Sequence, residues 1–303
     1  MSATSSNVGD SKTGVIVLNY ARPDLTERRL FQLESLPPAR FQVIFSVDKF
    51  DGFENNHVRR QFLSLSEKFP KVEWIFSNKR LGLANHLVAR VTETLSDFER
   101  VIVIEDDVSC SPDSLLSIEE VASTKSVHGA MTIGLFGCIP HFVPSLPRLF
   151  PWRRTKYFSA WGWSIDREMW SSYHLDVVKK FGVGSVQKTK VWKSLNESQK
   201  RRWTHRFSKV ESNPNLTWDF QMQFVSWLNG LDHVLPVIRS CDNEGFQDLR
   251  ATNTVDRKPR WYKGVRSDNL IRPKVNNSYQ LTSRLLQEID SFTWIGDKKL
   301  NDI

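Results

Sequence analysis

Four β-branched apolar residues, Val101-Ile102-Val103-Ile104, run directly into three carboxylates, Glu105-Asp106-Asp107. An apolar run without polar alternation reads as a strand covered on both faces, because a strand with one wet face alternates. The acids then stand where that strand leaves the core. Adjacent negative charges repel one another there and are costly unless a cation or a donor-rich pocket offsets them. A hard divalent cation, which takes oxygen ligands, meets that need. A plain acidic strand-to-helix turn is the alternative, since Ser111-Pro112-Asp113 just downstream supplies an N-cap and a helix-opening proline.

The residues before the triplet repeat one pattern. Val15 to Leu18 reads as a strand, and Pro23 and Asp24 open a helix carrying Leu25, Leu30 and Leu33. Phe41 to Val47 is a second strand ending at Asp48. It is followed by a helix with Val58, Phe62, Leu65 and Phe69 on one face. Val72 to Phe76 is a third strand, and Leu83, Leu87, Val91 and Leu95 mark the next helix. Short strand-helix connections of this kind predict an α/β fold with a mostly parallel central sheet and helices on both faces. Ligands of such sheets bind outside the carboxyl ends of the strands. The residues expected at that edge are Asn19 and Arg22, Asp48, Asn78 and Arg80, and the acidic triplet. Neither a GxxxxGK[ST] loop nor a GxGxxG turn occurs, which disfavours a P-loop or dinucleotide site.

Beyond the triplet the pattern becomes mixed. A helix begins near Pro112 and Met131 to Gly137 reads as a strand, while Pro140, Pro144, Pro147 and Pro151 mark a long loop expected to wall a binding site. Lys156 to Trp170 gathers aromatics around Gly162, and a helix is expected from Asp219 to Leu228. One more helix is expected at Leu281 to Ile289. The chain holds 11 Trp, rings that serve as core or as sugar-stacking platforms.

The formal charge of +8 suits nucleic acid, anionic lipid or a phosphorylated substrate, but the excess is local. It sits in a run from Lys188 to Lys209 that contains one acid, Glu197, and in a second stretch from Arg257 to Lys274. The first run mixes Trp192, Trp203 and Phe207 with its cations, so peripheral contact with an anionic membrane is one expectation for it and a solvated helical face is the other. Three scattered cysteines, Cys110, Cys138 and Cys241, suit neither a disulfide frame nor a zinc knuckle. With a polar N-terminus and no apolar span, they give the expectation of a cytoplasmic protein, associated at most with the inner face of a membrane.

In order along the chain, Leu18-Asn19-Tyr20-Ala21-Arg22-Pro23, Asp48, the NKRLGLAN segment from Asn78 to Asn85, Glu105-Asp106-Asp107, the Trp161-Gly162-Trp163 segment and Trp218-Asp219 resemble GT-A-fold glycosyltransferases. The likeness is nearest to the N-acetylglucosaminyltransferase I type and its bacterial relatives, and covers roughly Gly14 to Thr254. It implies a GT-A-like α/β fold in a catalytic domain over 13–255, with a nucleotide-binding half (13–110) and a mixed acceptor half (111–255). A disordered polar tail (1–12) would precede it and a basic C-terminal extension (256–303) would follow.

The resemblance further implies Mn2+ (or Mg2+) and a UDP-sugar donor, with Asp107 as direct metal ligand, Asp106 beside the metal, and Glu105 and Asp106 toward sugar and ribose. Asn19, Arg22, Asp48 and Arg80 would lie along the nucleotide, with Asp48 on uracil. Asp219 would be the general base of an inverting transfer to a glycan or lipid-linked glycan acceptor, and Trp161 and Trp163 would line the acceptor side. The GFQDLRATN segment from Gly245 to Asn253 resembles the loop that covers the diphosphate, which makes Arg250 and Thr252 donor contacts. It lacks the serine usual there. On the residues alone other readings stay open. Asp219 also suits a first-turn helix acid, and Arg22 with Asp48 a surface ion pair. A nucleic-acid binder leaves the EDD strand without a task. A nucleotidyltransferase is disfavoured because Asn19 to Asp24 contains no glycine, and a non-catalytic scaffold remains. Asp107 turned away from any cavity, or sealed by an internal lysine or arginine, would take the footing from the transferase reading.

Overall fold

The computed structural model describes residues 13–50, 57–137, 152–236, 239–246, 248 and 250. The expected N-terminal tail, the proline-rich loop from Pro140 to Pro151, Thr252, the second basic stretch and the Leu281–Ile289 helix lie outside these residues.

Ten strands are described. β1 (Thr13–Asn19), β2 (Phe41–Val47), β3 (Glu73–Phe76), β4 (Arg100–Glu105), β6 (Thr132–Gly134), β7 (Trp152–Thr155), β8 (Trp163–Asp166) and β9 (His233–Pro236) form one sheet in the order β3-β2-β1-β4-β8-β6-β9-β7. β5 (Val108–Cys110) and β10 (Cys241–Asn243) pair antiparallel as a separate ribbon. The first four strands are parallel, as the alternation with helices predicts. β8 then enters antiparallel between β4 and β6, which makes the second half mixed.

The uninterrupted apolar strands are explained by what covers them. Ile16, Leu18, Val101 and Val103 face a cluster that includes Leu87, Val91 and Leu95 of helix α3 (Leu83–Asp97). Val15, Val17, Ile102 and Ile104 face the other side, against Leu30 and Leu33 of α1 (Pro23–Leu33) and Leu115, Ile118 and Val121 of α4 (Pro112–Ala122). α2 (His57–Lys68) covers the outer strands through Phe62 and Leu65. Gly14 admits the close approach of α3, since a Cβ there would stand 2.5 Å from Thr94 Cγ2. The predicted third strand starts one residue late, at Glu73, and the predicted Met131–Gly137 strand shrinks to Thr132–Gly134.

Two long helices pack on the first of these faces, α5 (Glu197–Ser212) and α6 (Asp219–Leu228). α5 opens with a complete capping box, in which Asn196 accepts from Gln199 N and Gln199 accepts from Asn196 N. Its apolar residues are committed inward. Trp203 and Phe207, together with Trp192, are buried around Trp227. Rings committed to the core present no inserting face, and the basic residues are the outer side of a packed helix. Among the described residues no helix is long and apolar enough to cross a membrane.

Candidate active site

The carboxyl ends of β1, β2 and β4 converge as the strand register requires. Asp106 N donates to Leu18 O at 3.0 Å and Asp48 N to Asn19 O at 3.0 Å, so the ladder carries these residues past the ends of the strands. Asn19 is spent internally: its amide donates to Val17 O (2.8 Å) and Ser46 O (3.2 Å), and its oxygen accepts from Thr26 Oγ1 (2.8 Å). It shapes the turn, and its expected contact with the nucleotide is replaced by these bonds.

The turn continues through Ala21, whose φ of 52° is left-handed, a conformation costing a residue with a Cβ about 1–2 kcal/mol. It brings Tyr20 N to Asp106 Oδ2 at 3.3 Å and sends Arg22 onto the triplet. Arg22 Nε donates to Asp106 Oδ2 (3.2 Å), Nη2 to Asp106 Oδ1, and Nη1 to Asp107 Oδ2 (3.1 Å). Arg22, expected on the nucleotide, therefore offsets the acidic cluster from within.

Asp48 is also engaged by backbone. It accepts from Lys49 N (2.9 Å), Leu81 N (3.0 Å) and Gly82 N (2.8 Å), which fixes the loop from Asn78 to Gly82 ahead of α3. Arg80 stands exposed on that loop.

The triplet remains under-neutralised. Burial pushes the Glu105 carboxyl well above the usual carboxylate range, with Asp107 and Asp106 adding to the effect and Arg22 opposing it. Burial likewise raises Asp106 to about 7 against the pull of Arg22. Asp107 Oδ1 is buried without a hydrogen-bond partner, while Oδ2 is held by Arg22. Glu244 N donates to the Asp107 carbonyl at 2.6 Å, and Gly245 lies so close that a Cβ there would stand 2.4 Å from Asp107 Oδ2.

Asp219 begins α6 at the same edge. Its Oδ1 accepts from Thr217 Oγ1 and from Phe220 N (2.9 Å), and burial raises its carboxyl while Thr217 and Arg206 counter the rise. Its charge is one of those acting on Glu105, so the fold brings together two carboxylates from distant parts of the chain.

The tryptophans separate. Trp163 is fully buried, stacked on Trp218 at 5.2 Å, with Phe158 on its edge. No acceptor reaches such a ring, which corrects its expected role. Trp161 is half-buried, held edge-to-face by Phe136 and Phe246. Gly162 between them has φ 65° and lies against Leu135, so the turn itself requires the glycine. Arg250 forms a bidentate pair with Asp24 (2.7 and 3.0 Å) and a second with Asp248 (3.0 and 2.9 Å), placing its cation on acids rather than on open space. A cavity of ≈ 380 Å³ lined by Arg100, Met131, Ser164 and Asp166 lies at the opposite end of β4, away from the triplet.

No protein-family model matches the chain, and no curated protein matches it in sequence. Among solved structures it is similar to a mannosyltransferase from Pyrobaculum calidifontis in complex with GDP-Man and Mn2+, at 14% identity over 73% of this chain and 70% of that one, with a TM-score of 0.40. It is similar to GalNAc-T7 with UDP, GalNAc and Mn2+, at 9% identity over 76% of this chain and 43% of that one, with a TM-score of 0.46. A third is glucosyl-3-phosphoglycerate synthase from Mycobacterium tuberculosis with Mn2+, uridine diphosphate and glucosyl-3-phosphoglycerate, at 10% identity over 57% and 67% of the two chains, with a TM-score of 0.38. The chain spans less than half of the GalNAc-T7 chain. None of these three is of the N-acetylglucosaminyltransferase I type, so that finer likeness rests on the motifs alone.

Among the described residues no group of three or more His, Cys, Asp or Glu side chains forms a metal cage. A hard cation that shares its coordination with a ligand's phosphates needs only one or two carboxylates. The orphaned Oδ1 of Asp107, beside the buried carboxylate of Asp106, fits that lesser requirement. Two features escaped sequence reasoning. The Arg29–Glu244 pair joins segments far apart in sequence, and Arg206 was hidden inside a run of basic residues; its spacing of three from Trp203 was the available signal.

Proposed function

We propose that the protein is a metal-dependent glycosyltransferase of GT-A-like fold that moves a hexosyl or N-acetylhexosaminyl group from a UDP-sugar to the hydroxyl of a glycan or lipid-linked glycan. The observation that carries the reading is the Glu105-Asp106-Asp107 triplet at the carboxyl edge of a mixed α/β sheet, with the unpartnered Oδ1 of Asp107 beside Asp106 and with Asp219 near enough for its charge to act on Glu105. The mannosyltransferase, GalNAc-T7 and synthase structures named above hold Mn2+ with a nucleotide or nucleotide sugar, in keeping with this assignment.

In this reading Asp107 holds Mn2+ (or Mg2+) through Oδ1 with Asp106 beside it. When bound, the ion neutralises charge on the diphosphate leaving group. Arg22 favours the ionised form of Asp106 against its burial and holds the two aspartates in place. Asp219 takes the proton of the acceptor hydroxyl, with its Oδ1 held by Thr217 and the Phe220 amide. The acceptor oxygen bonds to the anomeric carbon as the bond from that carbon to the phosphate oxygen breaks. The electron pair leaves with the diphosphate, so a single displacement inverts the anomeric centre. Glu105, the member of the triplet on which the charge of Asp219 acts, faces the transferred sugar.

A thermal-shift panel of nucleotide sugars with and without Mn2+ tests the reading. One donor is expected to raise the Tm only with metal present, and Asp107→Ala to abolish that shift. Absence of any metal-dependent shift would remove the donor assignment. The Arg22 pairings favour a second reading, an idle relative whose triplet is neutralised internally. Under it, donor turnover would be absent from the wild type and Asp219→Asn would change nothing.

A further inference from the structure

Arg206 lies one turn beyond Arg202 on α5. Its guanidinium carbon stands 4.8 Å from the centre of the Trp203 ring and 5.0 Å from that of Phe220. The two rings meet edge to face, with centroids 6.1 Å apart and planes at 79°, and so form an aromatic corner that holds the cation. Phe220 follows Asp219 directly, which fixes the corner beside the carboxylate proposed as the base.

Arg206 is half-buried, yet among the described residues it has no ion-pair partner and no acceptor for its N–H groups. Its electrostatic neighbours are Arg202, which repels it, and Asp219, which attracts it from beyond salt-bridge distance. Burial and Arg202 together lower its pKa to about 10, the direction expected of a cation short of negative charge. Arg22 and Arg250, by contrast, are matched, the first by Asp106 and Asp107 and the second by Asp24 and Asp248. A planar guanidinium seated against two rings, beside a second guanidinium, is suited to bidentate contact with an oxyanion.

We propose that Arg206, reinforced by the charge of Arg202, is a specificity-determining residue that receives an anionic group, carboxylate or phosphate, carried by the acceptor sugar. The assignment deepens the transferase reading and rests on it, because the corner adjoins the acceptor hydroxyl only if Asp219 is the base. The acid that completes Arg206 is then part of the substrate. A neutral acceptor would leave the cation unmatched and bind less tightly.

The test uses the full chain titrated with glucose, glucuronate and glucose 6-phosphate, followed by the indole N–H resonances of the tryptophans, with Trp203 assigned through Trp203→Phe. Each anionic sugar is measured with and without UDP and Mn2+, which keeps the diphosphate site from contributing. The expected result is at least tenfold tighter binding of one or both anionic sugars than of glucose. Arg206→Gln should erase that preference and Arg206→Lys restore part of it, with unchanged UDP affinity in both. Glucuronate and glucose 6-phosphate distinguish a carboxylate from a phosphate acceptor. Equal affinity for all three sugars overturns the proposal, as does a preference that survives in Arg206→Met, which would make the aromatic corner purely structural. Because the sugar titration is read without donor, it also stands apart from the donor assay. A failed Mn2+-dependent shift with an intact anion preference would sink the donor reading alone, and the reverse outcome would sink only the role of Arg206.

Discussion

Arg29 and Glu244 form an ion pair at 2.9 Å that ties helix α1 to the turn lying over Asp107. Arg29 is almost wholly buried while Glu244 keeps some contact with water, and Arg28 adds a second, exposed bond at 3.3 Å. Nε and Nη1 of Arg29 are buried without partners, so Glu244 is the only match for its charge among the described residues. Glu244→Ala is therefore expected to destabilise the protein by about 2 kcal/mol, the loss of a charge-assisted bond to a buried cation. Urea unfolding of the variant and the wild type checks it, and Glu244→Asp should recover part of the difference.

Gly245 sets how close the same turn comes to the triplet. A methyl group there would stand 2.4 Å from Asp107 Oδ2, a distance that real contacts do not tolerate, so Gly245→Ala must move either the turn or the carboxylate. A loss of at least about tenfold in Mn2+ affinity is expected, since a ligand displaced by a fraction of an ångström no longer matches the ion's short oxygen distances. Manganese titration followed by electron paramagnetic resonance measures it. Unaltered affinity would place the cation elsewhere.

The tryptophans flanking Gly162 should behave differently. Trp163→Ala empties a site between Trp218 and Phe158 and is expected to cost about 3–5 kcal/mol in unfolding free energy. Trp161→Ala, at a half-buried ring, should cost less and alter acceptor KM more than kcat. Chemical denaturation and steady-state kinetics separate the two effects.

Two buried histidines make a pH prediction. Burial holds His233 at about 3 and His86 at about 4, below the ordinary value near 6.5. His233 Nδ1 meets Thr132 Oγ1 at 2.7 Å, and His86 Nε2 meets Ser46 Oγ at 2.7 Å. Below about pH 6.5 the unfolded chain takes up protons that the folded rings refuse. Each ring therefore lowers stability by about 1.4 kcal/mol per pH unit until its folded pKa is reached, and contributes no slope above pH 7. The raised carboxyls of Glu105, Asp106 and Asp219 act in the opposite sense, since the folded state holds their protons more tightly. The measurement is therefore the difference in unfolding free energy between wild type and His233→Phe. That difference should change by about 1.4 kcal/mol between pH 6 and pH 5 and stay constant between pH 7 and pH 8.

The parallel half of the sheet was legible because β1, β2 and β4 are continuous apolar runs and α1, α4 and α6 carry plain start signals. β8 was not, for it is four residues long and its neighbours β4 and β6 come from separate stretches of chain. Periodicity carries no information about such pairing. The triplet, Arg22 and Asp48 could be placed at one edge from strand order alone and Asp219 only through the family resemblance, but the partners of each could not. That Arg22 would rest on Asp106 rather than await a nucleotide, and that Asp48 would hold the Leu81 and Gly82 amides, depends on turns whose geometry begins with a left-handed alanine. Trp161 and Trp163 look alike in sequence, and only the packing of Trp218 tells them apart.

The antiparallel insertion of β8 has a mechanical consequence. By bridging β4 and β6 it stitches the two halves of the chain into one uninterrupted ladder from β3 to β7, so that among the described strands load passes between the halves through hydrogen bonds and not through a loop. The floor beneath Asp107 is thus part of that one ladder, and the turn at Glu244 and Gly245 is fastened to it from above through the Asp107 carbonyl and Arg29.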